Sequence, residues 1–475
     1  MPGPRGARAT AAEEALARHF ASVSRRERVP GIAYGVVLER RLAIAGATGT
    51  ADVTTGRDAG PTLPSRICSL TKSFVATAVM MLRDRGSIAL DEPIASYVPE
   101  LRSLSRPAGD SPPVTLRSLL TMSSGLPTDD PWADRCMDYS RARVDELFTR
   151  GASFARAPGV AYEYSNYGWV MLGRAVTNVI GAPVQRFVSE GVLTPLGLSN
   201  TSWDVPTGPS LTGHRVKGDE LVPESRPLDD GDFAPMGGLW STAVDLCHWM
   251  CFFLEAFPAC SDPDEAPLSR SSRREMQQLS RVAGIETSAD TGRVTASGYG
   301  FGLVVEADRR FGHIVGHPGG LPGYASYMRW LPDRGAGVAV LANRTYAPMA
   351  EPTLEALAIL DDLGLVDPPP AAVSAFLADA RDRLVAHLEH WQGADERLFA
   401  PNVFLDSDSE ARRREAIALR GELGTLRAGE IEAESATRGR FRVDGEHGSA
   451  WIDVLLTPEV PPRIQRYVIR RDGLF

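Results

Sequence analysis

Between Ile67 and Leu82 the chain reads Ile-Cys-Ser-Leu-Thr-Lys-Ser-Phe-Val-Ala-Thr-Ala-Val-Met-Met-Leu. The second half of this run is apolar on every side, which predicts a helix buried in a core rather than one lying on a surface. Ser69 falls near the helix N-terminus and Lys72 follows three residues later, so the two side chains share one face. The fold must therefore take a lysine into or beside its core. A serine alcohol is a weak nucleophile until a neighbouring base removes its proton, and a desolvated lysine is such a base. The helix N-terminus adds backbone N–H groups that favour developing negative charge.

A bare Ser-x-x-Lys arises by chance roughly one or two times in a chain of this length. Composition makes this one more telling. Of 51 lysines and arginines only Lys72 and Lys217 are lysine. A chain that so strongly prefers arginine keeps lysine at the one place where a base is needed, and arginine does not deprotonate near neutral pH.

At 475 residues, 43% hydrophobic and 23% charged, the chain is long enough for two or more domains with a sizeable core. A formal charge of -9 argues against nucleic-acid or anionic-membrane partners. Neither a signal-peptide pattern nor a membrane-spanning apolar run stands in the sequence, which predicts a cytoplasmic protein. The five cysteines (68, 136, 247, 251 and 260) have no disulfide-framework spacing. Cys247 and Cys251 lie one helical turn apart without Cys or His partners at ligand spacing, so reduced thiols are expected and no metal.

Taken in order, residues 1–12 read as a flexible N-terminus, although the first helix begins near Ala11 and runs to Arg26. Gly31–Leu38 and Arg41–Gly46 are expected to pair as antiparallel strands. Gly125–Tyr139 is an acidic loop carrying Pro127, Trp132 and Cys136, placed to act as a lid. Gly237-Gly238-Leu239-Trp240 is a Gly-rich turn entering a capped helix. Pro258–Arg293 is polar and reads as a surface insertion. Asp367–Pro370 is the clearest linker. The expected domains are thus a catalytic domain over 13–366 and a small α+β accessory domain over 371–475, with two helices followed by three or four strands.

Two further constellations bear on chemistry. Tyr164-x-Asn166 follows a Pro-Gly turn: Tyr164 is placed to shuttle a proton, and Asn166 to orient Lys72 and a substrate carbonyl. The alternative reading makes Asn166 an ordinary helix cap. His317-Pro318-Gly319-Gly320 precedes two strands. Its glycines let a substrate backbone approach, and Gly320 is the better partner for the Ser69 amide in an oxyanion hole, because Pro318 has no N–H. His317 reads either as a catalytic group or as a surface loop residue.

Ser69-x-x-Lys72, Tyr164-x-Asn166 and His317-x-Gly319, in that order, together with Leu119–Leu126 and Gly237-Gly238-Leu239, resemble the penicillin-recognising serine hydrolases. The likeness is to the branch near class C β-lactamases that includes D-aminopeptidases, carboxylesterases and transacylases. It covers about residues 13–360. It implies a serine β-lactamase-like α/β sandwich, with a helical subdomain beside an antiparallel sheet flanked by helices, and no cofactor. The site residues it implies are Ser69, Lys72, Tyr164, Asn166 and His317, with the Ser69 and Gly320 amides as oxyanion donors and Gly319, Trp132 and Trp240 lining the cleft. His317 stands where β-lactamases usually carry lysine, which points toward esterase, D-peptidase and transacylase members. The expected function is that of a serine hydrolase or acyltransferase, hydrolysis favoured, which forms a covalent acyl-enzyme on Ser69 with small-molecule or peptidyl esters or amides, D-amino-acid peptides among them. An alternative is a penicillin-binding-protein-type thioesterase that cyclises a carrier-bound nonribosomal peptide. A third, from another class, is a non-catalytic β-lactam or peptide sensor.

Overall fold

The computed structural model describes residues 4–102, 104, 107–218, 220–224, 229–258, 260, 262–287, 292–366 and 372–471. The expected linker at 367–370 lies outside the described residues. The chain divides into two compact units, Met1–Pro368 and Pro369–Phe475.

The first unit is built on a nine-stranded antiparallel sheet. Its strands are β1 (Gly31–Leu38), β2 (Arg41–Asp52), β3 (Arg57–Asp58), β4 (Arg281–Thr287), β5 (Val294–Tyr299), β6 (Val304–Asp308), β7 (Gly312–Leu321), β8 (Tyr324–Leu331) and β9 (Ala336–Ala342). The spatial order is β3-β2-β1-β9-β8-β7-β6-β5-β4. The N-terminal hairpin and the later six-strand meander therefore meet where β1 pairs with β9, Ile32 opposite Ala342 and Val36 opposite Val338. The helical part is inserted between β3 and β4, a stretch that also supplies the helix Ala243–Leu254.

Both faces of the sheet are covered, which is why β1 reads as an unbroken apolar run rather than an alternating one. Ile32, Tyr34 and Val36 face one core and Ala33 and Val37 the other. On the first face lie α1 (Pro4–Arg26) and a closing helix, Ala350–Asp362. Ala12, Leu16, Phe20 and Val23 of α1 are fully buried, a stripe at helical spacing, each large member contributing roughly 1.5–3 kcal/mol by burial. Phe20 stacks on Tyr34 at 4.4 Å between ring centres. The expected flexible stretch at 1–12 is helical from Pro4 onward, because proline is tolerated in a first helical turn. On the other face Gly35 lets Ala243–Leu254 approach: a Cβ there would stand 2.4 Å from Cys247 Sγ and 2.9 Å from the Ala243 oxygen.

The helical part centres on α2 (Thr71–Asp84), whose residues Thr71 to Leu82 are all buried, and on α3 (Asn166–Ile180) beside it. Phe74 of α2 stacks on Trp249 at 3.9 Å, and the Trp249 indole N–H donates to Ser73 Oγ at 2.9 Å. The segment expected as a surface insertion is part of the framework instead. Arg270–Met276 is a helix with Arg273 and Met276 buried, and β4 pairs with β5 at the sheet edge. Its arginines concealed this: the Arg273 guanidinium lies over Phe252 and pairs with Asp264 at 2.9 Å inside the protein.

The second unit holds helices Ala375–Glu389 and Ser409–Leu423 and a four-stranded antiparallel meander over Arg427–Ser435, Arg438–Gly445, Gly448–Leu456 and Ile464–Arg471. Alternate residues Phe441, Val443, Ala450, Ile452, Val454 and Tyr467 are buried and join Leu377, Leu384 and Leu419 of the helices in one core. No helix among the described residues is long and apolar enough to cross a membrane.

Candidate active site

Ser69 stands in a single 3-10 turn, Cys68–Leu70, that runs directly into α2. The turn is forced: Cys68 adopts φ +54°, a left-handed conformation uncommon outside glycine. Met122 (φ +52°) and Tyr346 (φ +47°) are left-handed likewise. Met122 Sδ accepts from the Ser165 N–H, and the Tyr346 ring lies 2.7 Å from where a Gly320 Cβ would be.

The turn packs against β7. Strand β6 pairs with β7 only up to Gly316, whereas β8 follows β7 to Leu321, so residues 317–321 have one neighbouring strand and one open edge. The Cys68 turn lies against this stretch. Ser326 Oγ donates to the Ile67 carbonyl at 2.7 Å. A Cβ on Gly319 would meet Ser326 Oγ at 2.2 Å, the Ile67 oxygen at 2.8 Å and Cys68 Cβ at 3.0 Å, so only glycine lets β7 and the serine turn come this close. Ser69, Tyr164, Gly319 and Gly320 are all partly exposed along this junction.

Lys72 is fully buried. Its Nζ lies 3.0 Å from Ser69 Oγ, 2.7 Å from Asn166 Oδ1 and 2.6 Å from the Met236 carbonyl oxygen. Two of these partners can only accept. A neutral amine has two hydrogens and one lone pair; once both hydrogens go to Asn166 and Met236, the lone pair is left facing the Ser69 hydroxyl. Burial brings the Lys72 pKa from 10.5 to about 8, against the opposing pull of Asp130, Asp134 and Asp129. Tyr164 O–H lies 3.0 Å from Ser69 Oγ, and burial pushes its pKa well above 10, so it stays a phenol. The arrangement offers Ser69 one acceptor for its proton and one donor on the other side.

Asn166 is held from behind. Its Nδ2 donates to Asp130 Oδ1 at 2.6 Å, which fixes the amide with its oxygen toward Lys72. It is the first residue of α3 rather than its cap; Ser165 precedes the helix without a side-chain cap bond. Asp129 does the capping from the acidic loop, accepting from the N–H of Asn166 at 2.7 Å and of Tyr167 at 2.8 Å, and from Ser165 Oγ at 3.1 Å. A carboxylate at a helix N-terminus satisfies donors that the helix cannot. The loop expected as a lid is thus a brace for the second motif. Asp134, on the same loop, is buried, accepts from Tyr346 O–H at 2.6 Å, and has its pKa raised by burial to about 6. Aspartates in a loop usually mark a solvated turn, and nothing in their spacing distinguished Asp129, Asp130 and Asp134.

Two expected site residues, Trp240 and His317, sit differently from the sequence reading. Trp240 is 1% exposed, with the Arg66 guanidinium 4.7 Å from its ring and Tyr324 against its edge; it supports the segment leading into the Ser69 turn from inside and does not line an open cleft. Trp132 is on the Asp130–Ala133 turn, 43% exposed, edge-on to Phe233 and Tyr167. His317 is neither on the surface nor bonded to Ser69, Lys72 or Tyr164. It is fully buried, with Nε2 2.6 Å from Tyr299 O–H and its ring 6.3 Å from that of Tyr164.

A sequence profile of the beta-lactamase family matches residues 16–361. The chain belongs to the beta-lactamase family. The penicillin-recognising resemblance carried by the three motifs is thereby borne out, and the family's sheet-and-helix architecture is the one described above. Among curated relatives, protein flp of Staphylococcus aureus (strain N315) is 26% identical over 326 residues, covering 66% of this chain and 60% of its own. The D-alanyl-D-alanine-carboxypeptidase/endopeptidase AmpH of Escherichia coli (strain K12) is 27% identical over 295 residues, 61% of this chain and 74% of its own. The chain thus spans 60% of the length of flp. Two solved structures share the fold at 22% identity. They are the octameric penicillin-binding protein homologue from Pyrococcus abyssi, with TM-score 0.63 over 94% of this chain and 91% of that one, and a D-stereospecific amidohydrolase from Streptomyces sp., with TM-score 0.58 over 72% and 98%.

Proposed function

We propose that this protein is a serine acyl hydrolase that works through a covalent acyl-enzyme on Ser69. The observation that carries the reading is the position of Ser69 Oγ, 3.0 Å from both the Lys72 amine and the Tyr164 hydroxyl, with the amine wholly buried. Neutral Lys72 takes the Ser69 proton as Oγ attacks an ester or amide carbonyl. The carbonyl oxygen becomes an oxyanion between the Ser69 and Gly320 amides, a contribution of about 3 kcal/mol per donor. Tyr164 gives its proton to the leaving group, recovers one from the Lys72 ammonium, and the acyl-enzyme is opened by water activated at the same base.

The substrate class is a small or peptidyl ester or amide with D-configured residues. The names of two similar proteins support the D-preference, the AmpH carboxypeptidase/endopeptidase and the D-stereospecific amidohydrolase. Five cysteines without a disulfide among the described residues support action in a reducing compartment, the cytoplasm.

Intact-mass analysis after treatment with a reactive aryl ester or fluorophosphonate tests the reading: one adduct on Ser69 is expected, and labelling undiminished in Ser69→Ala refutes it. A panel of aryl esters, D-amino-acid amides and peptidyl thioesters, with products identified by mass, decides the acceptor. Free acid is the expected product, and a dominant macrocycle or aminolysis product would replace hydrolase by cyclase.

A further inference from the structure

His317 has both ring nitrogens engaged inside the protein, and the partners differ in kind. Nδ1 lies 2.5 Å from the Pro318 carbonyl oxygen, which can only accept, so Nδ1 carries a hydrogen. Nε2 lies 2.6 Å from the Tyr299 hydroxyl. Tyr299 is 0% exposed, and burial raises its pKa well above 10, so the hydroxyl keeps its proton. If Nε2 were also protonated, the Tyr299 hydroxyl would have to turn its hydrogen away into a fully buried setting. The arrangement closes only with Nε2 bare and Tyr299 donating to it.

The surroundings agree. Burial, helped by the nearby Lys72 cation, takes the imidazole from 6.5 to about 3. The remaining groups facing the ring are phenols: Tyr164 at 6.3 Å and Tyr299 at 5.6 Å between centres, with Tyr162 behind Tyr299 at 6.1 Å. Opposite, Asp129, Asp130 and Asp134 put negative charge around Lys72. An imidazolium here would meet a cation and no carboxylate.

We propose that Tyr299 is a positioning residue that locks His317 as a neutral Nδ1–H imidazole, and that this lock sets the substrate class of the site. Acyl donors that are uncharged or cationic beside the reacting carbonyl are accepted, and those carrying a carboxylate there are not held. The second half rests on the acyl-enzyme reading; the lock itself does not. Because both nitrogens are spent, His317 neither protonates the leaving group nor pairs with substrate. The ring forms a wall behind Tyr164 and leaves proton return to that phenol.

Long-range proton–nitrogen correlation spectra of the full-length protein, with His317→Gln to assign the ring, read the lock directly. The expected result is a protonated Nδ1 and a bare Nε2 that do not titrate between about pH 5 and 8, unlike an ordinary histidine. In Tyr299→Phe the Nε2 resonance is expected to move and the ring to titrate at higher pH. An Nε2–H tautomer or an imidazolium near neutral pH in the unmodified protein overturns the lock, whether or not Tyr299→Phe folds. So do an unshifted ring and an unchanged pH profile in a folded Tyr299→Phe. For the substrate half, paired aryl esters of a D-amino acid are compared, one with a free or acetylated amine and one succinylated. Acylation of Ser69 is expected to be at least about tenfold faster without the carboxylate, and the ratio to narrow in Tyr299→Phe as pH falls and the ring gains charge. Preference for the succinylated ester overturns the substrate class. Absence of acylation by either ester overturns both the acyl-enzyme reading and the substrate half, while the ring spectrum separately decides the lock.

Discussion

Replacing Lys72 by arginine keeps the positive charge and removes the base. The residue fills a slot with three oxygen partners between 2.6 and 3.0 Å and no exposed surface. A guanidinium can still donate to Asn166 and Met236 but has no lone pair to offer Ser69. Positioned general-base catalysis is worth about 10²–10⁴-fold, which is about 2.7–5.4 kcal/mol of barrier. Loss of acylation by that factor is the expected effect. The larger side chain overpacks the slot at about 1–3 kcal/mol, so a melting curve must accompany the kinetics, with a fall of roughly 1–2 °C per kcal/mol for a unit of this size. Lys72→Met is the volume-matched control. It leaves the Asn166 and Met236 oxygens without a donor, at about 1–3 kcal/mol each, and is expected to be equally inactive. The assay is the rate of Ser69 labelling by a small aryl ester, followed by intact mass across pH. Burial favours the neutral amine, so in the unmodified protein labelling should rise about tenfold per pH unit and level off near pH 8, where Lys72 deprotonates. That slope should vanish in both variants. A folded Lys72→Arg protein that labels within about tenfold of the parent, with the same pH profile, refutes the assignment of Lys72 as base.

Three other perturbations probe what holds the site. Gly319→Ala should push β7 off the serine turn, since the new Cβ meets Ser326 Oγ at 2.2 Å and the Ile67 oxygen at 2.8 Å; labelling should fall at least about tenfold from a displacement of an ångström or less, and full activity would show that β7 does not line the site. Asp129→Ala removes the acceptor for two helix N–H groups and should lower stability by about 1–2 kcal/mol, read by denaturant melts, with labelling reduced as Asn166 loosens. A chain stopped at Val366 retains every proposed catalytic group and should still be acylated by a small ester; a folded truncation that is not acylated would place part of the site in the second unit.

Much of the fold could be read from periodicity because the burial pattern is simple where it was read. An unbroken apolar β1 requires cover on both faces, and α1 and Ala243–Leu254 supply it. The all-round apolar α2 requires burial, and twelve of its residues have it. Arginine misled in two places. In α1 it masked a helix that starts at Pro4, and at 270–276 it suggested a solvated insertion where Arg273 is in fact buried and paired. A long guanidinium can be satisfied inside a protein by one carboxylate and a ring, so its presence marks exposure less reliably than lysine's would, above all in a chain with two lysines.

For the site, Ser69, Lys72, Tyr164 and Asn166 were legible as residue types at fixed spacings, and the structure brings these four into one hydrogen-bonded cluster. What could not be read was everything that acts through the backbone or from a distance in sequence. The third partner of Lys72 is a carbonyl, from Met236, and any residue type would present one. The strain at Cys68 carries no signature either, because a left-handed cysteine is spelled like any other. Tyr299 lies eighteen positions before His317 and meets it only because β5, β6 and β7 are laid side by side. A free histidine side chain is partly charged near neutral pH. Enclosed beside Lys72 with its Nε2 filled by a phenol, His317 is neutral over that whole range. Burial lowers two bases in this site by the same physical cause and gives them opposite fates: Lys72 is brought from 10.5 to about 8, where it can accept a proton in water, and His317 is taken to about 3, where it no longer takes one up near neutral pH. The starting value of each side chain, together with the depth at which the fold holds it, decides which of the two is a base.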